Sequence, residues 1–363
     1  MAGVLKAPPR TMKALEKEAA QRGLMDKDER TYDKRDQLLV NIWSSKRLGR
    51  SIERPSILLV GTSGVGKSST INHLFDLSDN NSVTFAKTSA STSETRATTE
   101  FLLEVDSPPV RFGASALRLA LVDTPGFNDT GGTKQDACNF YSIKGMYDKH
   151  MNGCKPNLVL ILIQATDTRI QGENSNLARS LKCLKALKLV DSRYPNVVAV
   201  LTFATALGEK AKRFTKNIAL KKEIVKETLF KFLNVQTPVV ALENDVEDLE
   251  VDGDFTILPD GVRQPQNLYN VCQDVLKNNG DLYGHLIFNE AFGPQKKKIT
   301  MGKTMTARNA DTSKLSKDEH EFYEFFTQAM AGGSIDPLVQ EADDFLKKEN
   351  INATSNLESE LFS

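Results

Sequence analysis

The run Gly61-Thr62-Ser63-Gly64-Val65-Gly66-Lys67-Ser68 constrains this chain more than any other feature. It fits G-x-x-x-x-G-K-[ST] and lies between an apolar run, Ser56-Ile57-Leu58-Leu59-Val60, and the helix-compatible stretch Ser69 to Leu77. Glycines at 61, 64 and 66 permit a tight turn whose successive N–H groups face inward, and the helix that follows adds its positive end, so the loop suits phosphate. With the glycines, Thr62, Ser63, Val65 and Ser69 make the wall of the cradle. Lys67 reaches the β- and γ-phosphates, and the Ser68 hydroxyl is a ligand for Mg2+. A glycine-rich strand-to-helix turn without a ligand needs neither the lysine nor the serine at those spacings.

A second element, Leu121-Val122-Asp123-Thr124-Pro125-Gly126, also closes an apolar run. Asp123 there can hold a magnesium-bound water, and Gly126, three positions on, can aim its N–H at a γ-phosphate. A plain strand-turn with Pro and Gly is the alternative, and the pairing with the upstream loop favours the functional reading. A small-molecule kinase shares the first element but has no need of the second, and no acceptor-binding or lid segment rich in arginine is visible.

Further apolar runs at Leu117 to Val122, Leu158 to Ile163, Val197 to Thr202 and Val239 to Leu242 alternate with helical stretches such as Leu177 to Leu187 and Lys216 to Phe232. Strands alternating with helices imply a parallel sheet covered on both faces. The expectation is an α/β fold: a three-layer P-loop NTPase domain with a mainly parallel sheet over 53–292. Residues 1–52 are expected as a helical N-terminal arm, with Leu38, Leu39, Ile42 and Trp43 on one helical face. Residues 293–363 are expected as a linker, to about Ser313, and a partly ordered tail. In that tail Ser316-x-x-Glu319 is a capping box opening a short helix through Phe322, Phe325, Phe326 and Met330, which Gly332-Gly333 would end. Its aromatic face either folds back on the main domain or meets a partner. The rarity of exposed apolar patches on soluble proteins favours the first.

Lys plus Arg equals Asp plus Glu at 47 each, so the overall charge gives no reason to expect nucleic acid or an acidic membrane as partner. Cys138, Cys154, Cys183 and Cys272 are scattered without metal-site spacing and read as free thiols. The N-terminus lacks a signal-peptide core, and the longest apolar run, Leu158 to Ile163, is far too short to span a bilayer. A cytoplasmic protein with no integral membrane segment is the expectation.

The order GTSGVGKSS followed by LVDTPGFND resembles the septin-related GTPases that include the immunity-associated nucleotide-binding proteins and the chloroplast import receptors. The resemblance spans roughly Ser56 to Phe288 and implies GTP or GDP with Mg2+ as ligands, and nucleotide-dependent homodimers as a possible assembly. Ser93-Glu94-Thr95-Arg96 lies where this group carries a Ser-x-Thr switch threonine. Thr95 is therefore implied as a contact to metal and γ-phosphate, in a polar segment that offers other hydroxyls. The resemblance thus implies Ser68, Thr95 and Asp123 at the metal and Lys67, Thr95 and Gly126 at the reacting phosphate. Asn157 to Ile163 followed by Arg169 resembles a stretch of the immunity-associated branch, although a lone arginine also reads as a surface ion pair.

Guanine specificity usually rests on Asn-Lys-x-Asp, and this chain has none. Thr202-Phe203-Ala204-Thr205 is closer to the Thr-His-Ala form of the import receptors, and the Phe203 ring can stack on any purine for about 1 to 3 kcal/mol without reading its edge. Glu243-Asn244 is similar to the Glu-Asn pair that the family places against guanine. Glu243 can accept from the base edge, or it can belong to a solvated acidic loop with Asp245, Glu247, Asp248 and Glu250. Phe127 stands where many small GTPases place a water-orienting glutamine. These features point to slow GTP hydrolysis in a switch or assembly module, with a nucleotide-stabilised pseudo-GTPase scaffold as the alternative. The sequence names no protein partner.

Overall fold

The computed structural model describes residues 11–25, 32–74, 97–105, 117–127, 132–172, 175–191, 193, 195–208, 210–253, 255–292, 297–307 and 315–330. Five strands form the parallel centre of the sheet: β1 (Ser56–Gly61), β3 (Leu117–Asp123), β4 (Leu158–Gln164), β5 (Val197–Thr202) and β6 (Val239–Ala241). They follow the apolar runs of the sequence closely. Two antiparallel strands, β2 (Ala97–Val105) and β10 (Lys297–Thr306), extend the sheet to the order β10-β2-β3-β1-β4-β5-β6. Three short strands, β7 (Glu250–Asp252), β8 (Phe255–Ile257) and β9 (Arg263–Gln264), make a separate antiparallel sheet.

Alternate side chains of the central strands feed two cores, as a period of two requires. Ile57, Leu59, Leu119, Leu121, Leu160 and Val200 pack on one face beneath α1 (Met12–Gln21), α2 (Tyr32–Arg47), α3 (Lys67–Leu74), α7 (Gln266–Asn278) and α8 (Leu282–Phe292). Leu58, Val60, Val122, Val159, Ile161 and Leu201 pack on the other, beneath α4 (Gly132–Gly145), α5 (Asn176–Ala186), α6 (Ala211–Leu233) and α9 (Lys317–Met330).

The segment expected as an N-terminal arm is two helices that belong to the first core. Leu15, Ala19, Leu38, Leu39 and Ile42 are buried there. The chain that follows is pinned by Tyr283 Oη donating to Ile52 O at 2.9 Å and by buried Arg50 donating to the carbonyls of Pro156 and Asn157.

The expected linker after residue 292 contains β10, which is a correction to the sequence reading. Lys297, Lys298 and Lys303 hid its strand character, yet lysine is a common device on a sheet edge. Its bulge between Met301 and Thr304 wraps the buried carboxylate of Glu100, which accepts from Arg54 Nη1 at 3.1 Å and from Lys303 N at 3.1 Å. A Cβ at Gly302 would fall 2.6 Å from Glu100 Oε2, so a larger residue at this turn would displace that carboxylate. Beyond it the capping box forms, with Glu319 N donating to Ser316 Oγ at 3.3 Å and Ser316 N to Glu319 Oε2 at 2.8 Å. The helix folds back, burying Phe322 and Phe326 in the second core. Its described residues run to Met330, and Gly332-Gly333, the expected stop, lies outside the described residues.

Candidate functional site

Parallel register brings the carboxyl ends of β1, β3, β4, β5 and β6 to one edge of the sheet, the crevice where open α/β sheets bind ligands. The turn out of β1 takes positive φ at Gly64 (+72°) and Gly66 (+88°), values that exclude most side chains. Gly61 is needed for a different reason: a Cβ there would meet Leu162 O at 2.7 Å and Val65 Cγ1 at 2.8 Å.

Lys67 and Ser68 open α3. The Lys67 ammonium folds back over the loop, donating to Gly61 O at 3.2 Å and Thr62 O at 2.9 Å, and is buried. Ser68 Oγ donates to Asp123 Oδ2 at 2.7 Å, so the loop and the end of β3 meet at an oxygen pair. The other carboxylate oxygen accepts from Thr124 N at 3.0 Å, and Thr124 Oγ1 donates to Leu59 O at 2.7 Å, which locks the turn to β1. Burial pushes the Asp123 carboxyl above the usual carboxylate range, against the pull of the Lys67 charge and the bonds from Ser68 and Thr124. A hard divalent cation fits this chemistry: both donors are oxygens, one of them a buried carboxylate beside the phosphate cradle. Among the described residues no group of three His, Cys, Asp or Glu stands together as a self-sufficient metal site, so a cation held here draws further oxygens from its ligand or from water.

After Asp123 the chain runs against the loop itself. Phe127 N donates to Gly61 O and Ser63 N donates to Phe127 O, each at 3.2 Å, forming a parallel bridge between Thr62 and Phe127. Gly126 sits so close that a Cβ would lie 2.4 Å from Ser63 Cα, which only glycine allows. The Phe127 ring is buried and stacked on Phe140 with centroids 4.1 Å apart. It therefore anchors the turn and offers no polar group to a water.

At the other end of the crevice Thr202 Oγ1 donates to Val65 O at 2.8 Å, tying β5 to the loop. Phe203 takes a left-handed conformation (φ +52°) with its ring beside Gly66. Such a backbone costs a non-glycine residue about 1 to 2 kcal/mol. Glu243 is buried rather than part of a solvated acidic loop. Its carboxylate accepts from Thr205 N (3.0 Å), Thr205 Oγ1 (2.7 Å) and Asp245 N (3.1 Å), while Gln264 bonds both its backbone N–H and its carbonyl. Asn244 Nδ2 donates to Thr70 Oγ1 at 3.0 Å and reaches Gly66 O at 3.4 Å.

Residues 56–191, the stretch from β1 past α5, match the family described as 50S ribosome-binding GTPase. They carry the phosphate loop and the parallel strands of a P-loop fold. GTP-binding protein A of Dictyostelium discoideum is 27% identical over 152 residues, which are 42% of this chain and 28% of that protein, so the match spans little more than a quarter of the relative's length. Among solved structures, Toc33 from Arabidopsis thaliana in complex with GDP and Mg2+ is similar at 17% identity, with 68% of this chain and 93% of that chain covered and a TM-score of 0.45. The same protein with Mg2+ and GMPPNP gives 17%, 69%, 95% and 0.44. Toc33 is a chloroplast translocon component.

Within the matched stretch and its continuation the crevice gathers Gly61 to Ser69, Asp123, Gly126, Thr202, Phe203, Glu243 and Asn244. Thr95 lies outside the described residues. Arg169 is exposed, in the turn after β4, where its N–H donates to Asp167 Oδ1 at 2.8 Å. Sequence reading missed Thr205 and Gln264, which hold Glu243, and Asn139, which holds Gly126. A threonine two residues past Phe203 was visible, but no spacing rule links it to a glutamate on the next strand.

Proposed function

We propose that the chain binds GTP and GDP with Mg2+ in this crevice and hydrolyses GTP slowly, as a switch or assembly module. The observation that carries the reading is the joining of the glycine cradle, Lys67, Ser68 and Asp123 at the ends of β1 and β3. Backbone N–H groups of Gly61 to Ser69 receive the phosphates, and Lys67 exchanges its bonds to Gly61 O and Thr62 O for phosphate oxygens. Ser68 and Asp123, with Thr95, hold Mg2+, which neutralises charge on the β- and γ-oxygens. Gly126 N–H and Thr95 meet the γ-phosphate, and water attacks it. With Phe127 packed against Phe140, nothing at that position orients the water, which supports slow intrinsic turnover.

Phe203 supplies the stacking surface for the base, and Glu243 and Asn244 line its edge. An ionised carboxylate has about four acceptor sites, and protein donors already take three of those on Glu243. Guanine is then preferred through one remaining site, more weakly than by a free aspartate. A site in the cytoplasm and nucleotide-dependent pairing of two copies complete the proposal; no helix among the described residues is long and apolar enough to cross a membrane.

The buried Phe127 equally favours a second reading, a scaffold that binds nucleotide without turnover. Calorimetry with GTP, GDP and ATP, followed by turnover per molecule over a hundredfold range of protein concentration, tests both. Tight GTP binding with turnover that rises with concentration supports the first; binding with no turnover at any concentration supports the scaffold. Failure to bind any of the three removes both.

A further inference from the structure

We propose that Asn139 is a positioning residue for the γ-phosphate side of the site, holding the Gly126–Phe127 peptide against the phosphate loop. Asn139 lies on α4 and is buried. Its Nδ2 donates to Gly126 O at 2.9 Å, and its Oδ1 accepts from Gln135 Nε2 at 3.0 Å, so the amide is fixed at both ends. The opposite side of the same peptide is fixed as well, by Phe127 N donating to Gly61 O at 3.2 Å.

A peptide unit is planar, so one held through both its carbonyl and its N–H cannot rotate. The Gly126 Cα is thereby set from two sides, which fixes one end of the neighbouring peptide that carries the Gly126 N–H. The missing side chain at Gly126 lets this plane lie directly on Ser63, and Asn139 keeps it there.

The same residue reaches the other segment that the proposed reading places at the γ-phosphate. Asn139 O accepts from Ser142 Oγ at 2.7 Å, and Ser142 Oγ lies 2.7 Å from Thr98 Oγ1, near the start of β2 and three residues after Thr95. Ser142 and Thr98 are both buried, so this chain of hydroxyl and amide groups is shielded from water. The Asn139 side chain thus ties the Gly126 turn to α4, while its backbone carbonyl, through Ser142, meets the start of β2 at Thr98. Filling the space alone would need only an apolar residue, as at its helix neighbours Phe140 and Ile143.

The inference rests on reading the loop as the nucleotide site, and the test separates the two. Asn139→Ala and Asn139→Asp, the second nearly isosteric but unable to donate when ionised, are compared with the parent for affinity toward GDP and a non-hydrolysable GTP analogue, alongside melting temperature. Affinity for the analogue is expected to fall about five- to tenfold, the worth of one hydrogen bond, while affinity for GDP stays within about twofold. A merely structural role would lower both affinities alike or neither, and either result in folded variants overturns the inference. Should both variants fail to fold, Gln135→Ala, which releases one end of the amide, is expected to give the same selective loss at about twofold, and an unchanged ratio there overturns the inference too. A parent protein that binds neither nucleotide overturns the reading of the site itself.

Discussion

At the phosphate end the site is made of backbone, whereas at the base end it is made of side chains that already have partners. The cradle owes its shape to positive φ at Gly64 and Gly66 and to the close approach of Gly126 to Ser63. Of its three polar side chains, Lys67 bonds the carbonyls of Gly61 and Thr62 and Ser68 bonds Asp123, and these bonds can be exchanged for ligand oxygens. At the base end Glu243 is held by Thr205 and Gln264, and Asn244 by Thr70, so that side chains from four separate segments meet. In the proposed reading, phosphate recognition is therefore written in local spacing, while base recognition depends on how distant loops meet.

Four substitutions can break or sharpen that contrast. The largest effect is expected from Lys67→Ala. Bonds to charged groups are worth about 1.5 to 3 kcal/mol each, so losing contacts to two phosphates weakens nucleotide binding by roughly a hundredfold or more, whichever base is present. Calorimetry with guanine and adenine nucleotides checks it, and a loss confined to one base would show the two ends to be coupled.

Gly126→Ala forces a Cβ into the Ser63 backbone and should cost about 1 to 3 kcal/mol of overpacking, seen as a lower melting temperature together with slower turnover. A fully active, fully stable variant would mean that the bridge between Thr62 and Phe127 opens without consequence.

Glu243→Ala removes an acceptor from three donors and should lower the preference for GTP over ATP by about tenfold, with roughly 1 to 3 kcal/mol lost in stability. Competition binding and thermal melting measure the pair of effects. Stability lost with selectivity unchanged would make Glu243 a brace for the loop and nothing more.

The smallest effect is expected from Phe203→Leu, which removes stacking worth about 1 kcal/mol and should weaken guanine and adenine nucleotides equally, by roughly fivefold. Unequal loss would show that the ring takes part in discrimination.

The legibility of the sequence follows the same line. The central strands were readable because a strand buried on both faces is a continuous apolar run, and the loop after β1 because phosphate needs fixed offsets. The capping box at Ser316 and Glu319 is a rule of four residues and formed as its spacing implied. Glu100 on β2 and the lysines of β10 disguised the outer strands, because their burial and pairing depend on Arg54 and on each other, far apart in the chain. The burial of Glu243 was likewise hidden among its acidic neighbours, and Asn139 looked like any polar residue on a helix. The two N-terminal helices showed their apolar face but not the α8 surface that covers it.

The outermost strand carries a consequence for how the protein behaves in a crowded solution. β10 lies over β2, whose Phe101 and Leu103 are buried. A chain cut after residue 292 would uncover a more apolar ladder of unpaired N–H and C=O groups, strip Glu100 of the Lys303 N–H, and bare the aromatic surface of α4 that Phe322 and Phe326 now cover. Open strand edges of that kind recruit other chains. The strand at the end of the sheet, with exposed Lys303, thus acts as a cover for that ladder, and edge lysines of this kind disfavour edge-to-edge pairing between molecules.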